Sequence, residues 1–220
     1  ILGNSFYSDL PEYQEKKGGS CEPGIVMVSF DTNQNGLPDD EWYELAGSEY
    51  YKPETVKNYR ITYDRPDPDK IPEPDMSQQW SDATYLSWKD NQGNTGYLPK
   101  NVYHTQSYYP EWIEESTLTF TGTRLRDNAT DESGTGKYYV LYSYPWGYVD
   151  NHPNDYQDLN SFDIEWAVDA EGNKVELPGI DFIIRAQDLH IVPPSIIVPD
   201  PVSEQMKLQY DQAILKIKGL

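Results

Sequence analysis

The chain of 220 residues carries one cysteine, Cys21. A lone thiol makes no intrachain disulfide and no cysteine-built zinc site, and it leaves the redox compartment open. Long apolar runs are missing too, so nothing reads as a membrane-spanning helix or a signal peptide. That says little about export. The chain begins inside a strand-like run, Ile1 to Tyr7, and is expected to lack its natural N-terminus. Cations are scarce. Lys and Arg total 17 against 37 Asp and Glu, a formal net charge of -20. Such a surface repels phosphate backbones, which argues against nucleic acid as a partner, and it suits divalent cations. The acids are dispersed, so they do not form a disordered acidic tail.

What is present points to strands. Hydrophobic residues make up 37% of the chain, but aromatics reach 14%, with 19 Tyr and 6 Trp. Proline (17) and glycine (15) punctuate it throughout. That pattern favours many short strands and tight turns over helices. Strands are expected at Gly24–Phe30, Trp42–Leu45, Tyr59–Tyr63, Tyr85–Asp90 and Thr117–Leu125. Further ones are expected at Lys137–Tyr144, Ser161–Val168, Lys174–Leu177 and Ile180–Ile184. Asn91–Asn94 and Asp169–Asn173 read as hairpin turns. The prolines between Asp64 and Asp75 forbid a central strand and mark a surface loop. The spacing predicts an all-β fold, an antiparallel β-sandwich of jelly-roll type. Its domain is expected over residues 1–192. A proline-rich linker follows at 193–202. C-terminal strands at 203–220 alternate with period two, although a helix also fits them, and they are read as packing on the main domain or opening a truncated second module.

The most chemical stretch is Asp31-Thr32-Asn33-Gln34-Asn35-Gly36-Leu37-Pro38-Asp39-Asp40. Side-chain oxygens fall at alternating positions, with a glycine where a sharp turn lets the Leu37 carbonyl join them. Calcium takes six to eight such oxygens. Asp31, Asn33, Asn35, Leu37, Asp39 and Asp40 are therefore the candidate ligands of a structural Ca2+. Trp42 stands where a helical calcium loop wants a bidentate glutamate, so the loop is expected to join two strands. The alternative is an Asn/Gly-rich turn. That explains the glycine and the asparagines, but not the alternating oxygens followed by two aspartates.

A second stretch sets aromatics against polar groups. Trp146, Tyr148, Asp150, Asn151, His152 and Asn154 are candidates to bind a sugar or another flat ligand, or a second calcium. The alternative is a long loop folded over the core by its own rings. His104, His152 and His190 have no metal-site spacing. Glu114 with Glu115, or Asp163 with Glu165, could form the carboxyl pair of a glycosidase, but 37 acids produce pairs by chance. No nucleophile elbow is present. Ser133–Lys137 lacks the pattern of a phosphate loop and reads as a turn.

Several stretches together resemble a family of Bacteroidetes "cell surface proteins". They are Cys21–Val26, the oxygen-rich loop with Trp42–Glu49, His104–Pro110, Tyr144–Asn154 and Phe162–Asp169. The resemblance covers about residues 1–190. It implies an exported protein at the outer membrane or cell surface, lipid-anchored or secreted, in some members beside uptake systems such as those for cobalamin. The early strands are also similar to galactose-binding-like jelly rolls. Family members carry more chain before Ile1 and a further segment after Phe182-Ile183, so a loop is expected to be missing at Ile183-Ile184. The expected function is a calcium-stabilised surface protein that binds a glycan or a small nutrient such as a corrinoid. The alternatives are a glycoside-active enzyme and a structural or adhesive module. The oxygen-rich loop is read as a staple and not as the functional centre, because no base or nucleophile accompanies it.

Overall fold

The computed structural model describes residues 1–135 and 138–186. The linker expected at 193–202 and the strands expected at 203–220 lie outside them. So does His190. The described residues form an all-β fold with three four-stranded antiparallel sheets. Its strands are β1 (Phe6–Tyr7), β2 (Gly18–Ser20), β3 (Ile25–Ser29), β4 (Trp42–Leu45), β5 (Val56–Asp64) and β6 (Trp80–Asp90). Next come β7 (Thr95–Asn101), β8 (Thr117–Arg124), β9 (Ala129–Asp131), β10 (Tyr139–Tyr142), β11 (Ala167–Val168) and β12 (Phe182–Ala186). One short helix, α1 (Pro11–Gln14), precedes β2.

The chain forms two compact units. One contains residues 1–55 and the described chain from Leu125 onward; the other is Val56–Arg124. The first holds two sheets, ordered β1-β2-β10-β9 and β11-β4-β3-β12. These orders carry the antiparallel class; they do not by themselves make a jelly roll. β3 is central and buried on both faces, which fits its continuous apolar run. Val26 and Val28 pack there with Leu45, Val149 and Ala167, and Trp166 and Phe162 cover the cluster. Ile183 and Ile184 lie within the continuous strand β12, paired with Val28 and Met27.

The second unit is one sheet, ordered β7-β6-β5-β8. Leu86, Tyr109 and Ile113 form its core, with Tyr63, Leu98 and Leu118 against them. The proline-rich loop is irregular between Arg65 and Pro74, as expected. It is anchored by Lys70, whose Nζ lies 2.7 Å from Asp82. The strand β7 was not legible, because it contains Pro99. Its place at the sheet edge tolerates a residue with no N–H to donate.

Both expected hairpin turns use one device. Asp90 Oδ1 accepts from the N–H groups of Gln92 (2.9 Å) and Asn94 (2.8 Å), and its other oxygen accepts from the Asn94 amide. Asp169 repeats this with Glu171 and Asn173. Gly93 and Gly172 supply the left-handed backbone, at φ 87° and 83°.

Two expected strands need correction. Ser161–Val168 is not continuous: Ile164–Trp166 is a 3-10 turn, and only Ala167–Val168 is strand. The Asp163 carboxylate accepts from Glu165 N–H at 2.9 Å and starts that turn. A local side-chain bond of this kind competes with the ladder. Lys174–Leu177 is reduced to an isolated bridge between Lys174 and Val168.

Two glycines separate strain from collision. Gly147 has φ 90°, and an added Cβ would lie 2.5 Å from Gly47 Cα. Gly93 has φ 87° with nothing within 4 Å. Gly147→Ala is expected to cost about 2–4 kcal/mol in urea unfolding, strain plus overpacking. Gly93→Ala should cost only about 1–2 kcal/mol. Equal losses would refute the close approach of the two glycine backbones.

Candidate functional site

The oxygen-rich loop joins β3 to β4, which pair antiparallel, so it connects strands as its sequence predicts. Its side chains turn inward on the loop. Asp31 accepts from the N–H groups of Asn35 (3.1 Å) and Gly36 (2.8 Å). Asn33 Oδ1 accepts from Asn35 N–H at 2.9 Å, and Asn35 Oδ1 from Leu37 N–H at 2.7 Å. The amide nitrogens of Asn33 and Asn35 approach Asp39 at 3.5 and 3.2 Å. Gln34 and Gly36 take positive φ, 57° and 74°, which coils the segment. Asp31, Asn33, Asn35 and Asp39 are thus one cluster. Leu37 is exposed. Asp40 Oδ2 is shielded from water and has no hydrogen-bond partner. A buried carboxylate oxygen is costly to leave unmet. Asp181, just before β12, accepts from Asp31 N–H at 2.8 Å and ties the loop to a second neighbour of β3.

Among the described residues, no three His, Cys, Asp or Glu side chains gather to hold a metal. The loop's donors differ in kind: the amides of Asn33 and Asn35 stand beside its aspartates. Hard oxygen donors of this mix suit calcium and not the softer transition metals.

The aromatic stretch is built differently. Tyr148, Asp150, Asn151 and His152 are each no more than 1% exposed, and their polar atoms meet the chain itself. Asn151 closes the loop on Tyr144, accepting from its N–H at 2.7 Å and donating to its carbonyl at 2.9 Å. Asp150 Oδ1 accepts from Asn4 N–H (2.6 Å) and Ser5 N–H (2.7 Å). Tyr148 Oη accepts from Glu49 N–H at 2.9 Å, and burial raises its pKa. Asn154 is exposed, but its amide bonds both backbone groups of Gly3. Trp146 is different. It is 39% exposed, and its ring centroid lies 4.6 Å from that of Trp166. Of these residues, it is the one that offers an aromatic surface.

His152 Nε2 faces the Pro145 carbonyl at 3.3 Å, which can only accept, so Nε2 carries the proton. Nδ1 then accepts from Tyr7 Oη at 2.7 Å. Burial raises the Tyr7 hydroxyl to about 12 and keeps it a donor. Burial also lowers the His152 pKa; the Pro145 carbonyl opposes this and the Lys17 charge adds to it.

The candidate carboxyl pairs lie at the surface. Asp163 is spent on its turn. Glu114, Glu115 and Glu165 are exposed. Asp75, Asp82, Asp90 and Asp169 lie below the usual carboxylate range. For Asp75 the first cause is the Ser77 hydroxyl, and for Asp169 the Asn173 amide. In Asp82 and Asp90 burial pushes upward and is outweighed by hydrogen bonds. A glycosidase acid is shifted the other way.

Glu49 and Arg126 escaped the sequence reading. Glu49 is 3% exposed and takes Arg126 Nε at 2.7 Å, while the guanidinium lies 4.7 Å from the Tyr144 ring centroid. They are far apart in sequence and no short pattern links them. No protein-family model matches the chain, and no curated protein is detectably similar to it.

His152 gives a pH prediction. Its pKa is depressed in the fold, so its contribution to stability is present above the unfolded value near 6.5 and is lost as pH falls from there toward the folded value. Between about pH 7 and 5, wild type should lose stability relative to His152→Gln. Parallel stability–pH curves for the two proteins would show that His152 is not held neutral.

Proposed function

We propose that the protein is a calcium-stabilised, exported β-protein of the cell surface that binds a glycan or a small nutrient such as a corrinoid. The observation that carries the calcium part is Asp40 Oδ2, buried and unmet at the end of a loop of clustered oxygen donors. Asp31, Asn33, Asn35, Asp39 and Asp40, with the Leu37 carbonyl, are the residues that would hold the ion. Calcium would supply positive charge there and bridge the β3–β4 connection. Its role is that of a staple, since it binds the folded loop only. Trp146 supports the binding part. An exposed indole braced by a second one presents a flat apolar face of the kind that sugars and planar ligands stack on. The resemblance to Bacteroidetes surface proteins supports export and a place beside an outer-membrane uptake system.

Catalysis is the lesser reading, because the candidate carboxyls Glu114, Glu115 and Glu165 lie exposed and Asp163 is engaged in its own turn. Calcium at about a hundred times its Kd should stabilise the fold by about 2.7 kcal/mol. For a chain of this size that raises Tm by roughly 5–10 °C over the chelated protein. Asp31→Ala should abolish the shift. A wild-type Tm that ignores both chelator and added calcium sinks the calcium claim. Titration with corrinoids and gut glycans tests the binding claim, with loss of signal expected in Trp146→Ala.

A further inference from the structure

The sheet of the second unit has two unlike faces. Tyr63, Trp88 and Leu118 stand opposite one another on one of them, with the Trp88 ring seated over Gly96. The other face is polar and open. Thr119, Thr62, Lys89 and Thr95 form one straight row across all four strands. The Thr62 and Thr119 hydroxyls meet at 2.8 Å, which places both side chains on that face. One pleat away, Ser87 donates to Asp64 Oδ2 at 2.9 Å and lies opposite Tyr97, which is 49% exposed. One pleat the other way, Arg60 lies opposite Thr121. Thr95, Thr117, Thr119 and Thr121 are all exposed.

The charge on this face is positive. Arg60 and Lys89 are both exposed. Neither side chain has an ion pair among the described residues. From strand geometry their Cα atoms lie about 8 Å apart. The face carries one acid, Asp64, already engaged by Ser87. A chain of net charge -20 thus keeps two unneutralised cations together on a flat field of hydroxyls. At physiological salt, charges beyond about 8 Å are screened, so the local pair decides what approaches.

We infer that this face binds an acidic glycan, a polymer or oligomer of uronic acid. The inference rests on the surface-binding role proposed above and gives it a second contact surface and a ligand class. Each part of the face meets one feature of such a ligand. The Arg60 guanidinium forks onto a carboxylate and Lys89 adds a second point charge. The threonine rows exchange hydrogen bonds with sugar hydroxyls. The Tyr97 ring takes an apolar sugar face. A DNA strand would meet the same two cations but has no free sugar hydroxyls for the threonine rows to bond.

The test is calorimetric titration of the intact chain with short oligogalacturonates, too short to gel with calcium, beside neutral dextran oligomers and polyglutamate. Wild type should bind the oligogalacturonates, with affinity falling as salt rises, and should ignore dextran. Arg60→Gln with Lys89→Gln should weaken binding about tenfold or more, and Tyr97→Ala should weaken it as well. All three positions are exposed, so circular dichroism should show unchanged folds. Trp146→Ala should bind oligogalacturonates like wild type. Equal binding by the Arg60/Lys89 double variant overturns the inference. So does polyglutamate bound as tightly as the sugar and independently of Tyr97. If another glycan binds and only Trp146→Ala abolishes it, the surface-binding role stands and this face is overturned. If wild type binds no glycan and no corrinoid, both fail.

Discussion

The first unit depends on one buried carboxylate. Asp150 sits at φ 54°, a backbone position that few side chains favour, and is 1% exposed. One of its oxygens accepts two successive N–H groups, those of Asn4 and Ser5. These bonds satisfy a buried oxygen that would be costly to leave unmet. They fix the segment that runs into β1, and β1 borders β2 in the first sheet. His152 and Asn154 continue the same seam, to Tyr7 and to Gly3. Gly3 is required there, since a Cβ would lie 2.1 Å from Asp150 Oδ1. Every second side chain from 150 to 154 therefore sews the start of the chain to a loop about 150 residues away.

This seam separates framework from contact surface. A polar group that holds a buried backbone in place is not free to meet a ligand. Of the stretch from Trp146 to Asn154, the ring left exposed is that of Trp146, braced by Trp166. The oxygen-rich loop has a different character. It is exposed, held by its own side chains, and linked to β12 through Asp181. An ion there would act on β3, β4 and β12 together, which is why a surface loop can matter to the core.

Local chemistry made much of this legible. The apolar run at Ile25–Ser29 read correctly as a strand, and the alternating threonines of β8 read as a half-exposed one. Asp90 and Asp169 announced their hairpins because an aspartate, a glycine and an asparagine at that spacing close a turn by themselves. Failures came where a local bond competed with the ladder, as at Asp163, or where an edge position excused a proline, as at Pro99. The seam was hidden for another reason. Tyr148, Asp150, Asn151 and His152 look like ligand-binding residues by type, and nothing nearby in sequence shows that their partners are Glu49, Asn4, Tyr144 and Tyr7. The polar face of the second unit was hidden likewise: Arg60 and Lys89 become neighbours only once the register of β5 and β6 is set.

Amide hydrogen exchange on the intact chain, with calcium and with chelator, tests the account most directly. The account predicts strong protection of the Asn4, Ser5 and Tyr144 amides in both conditions, and slowed exchange through Asp31–Asp40 and the paired β3 and β12 only when calcium is present. Unprotected amides at Asn4 and Ser5, or a loop whose exchange is indifferent to calcium, would contradict it.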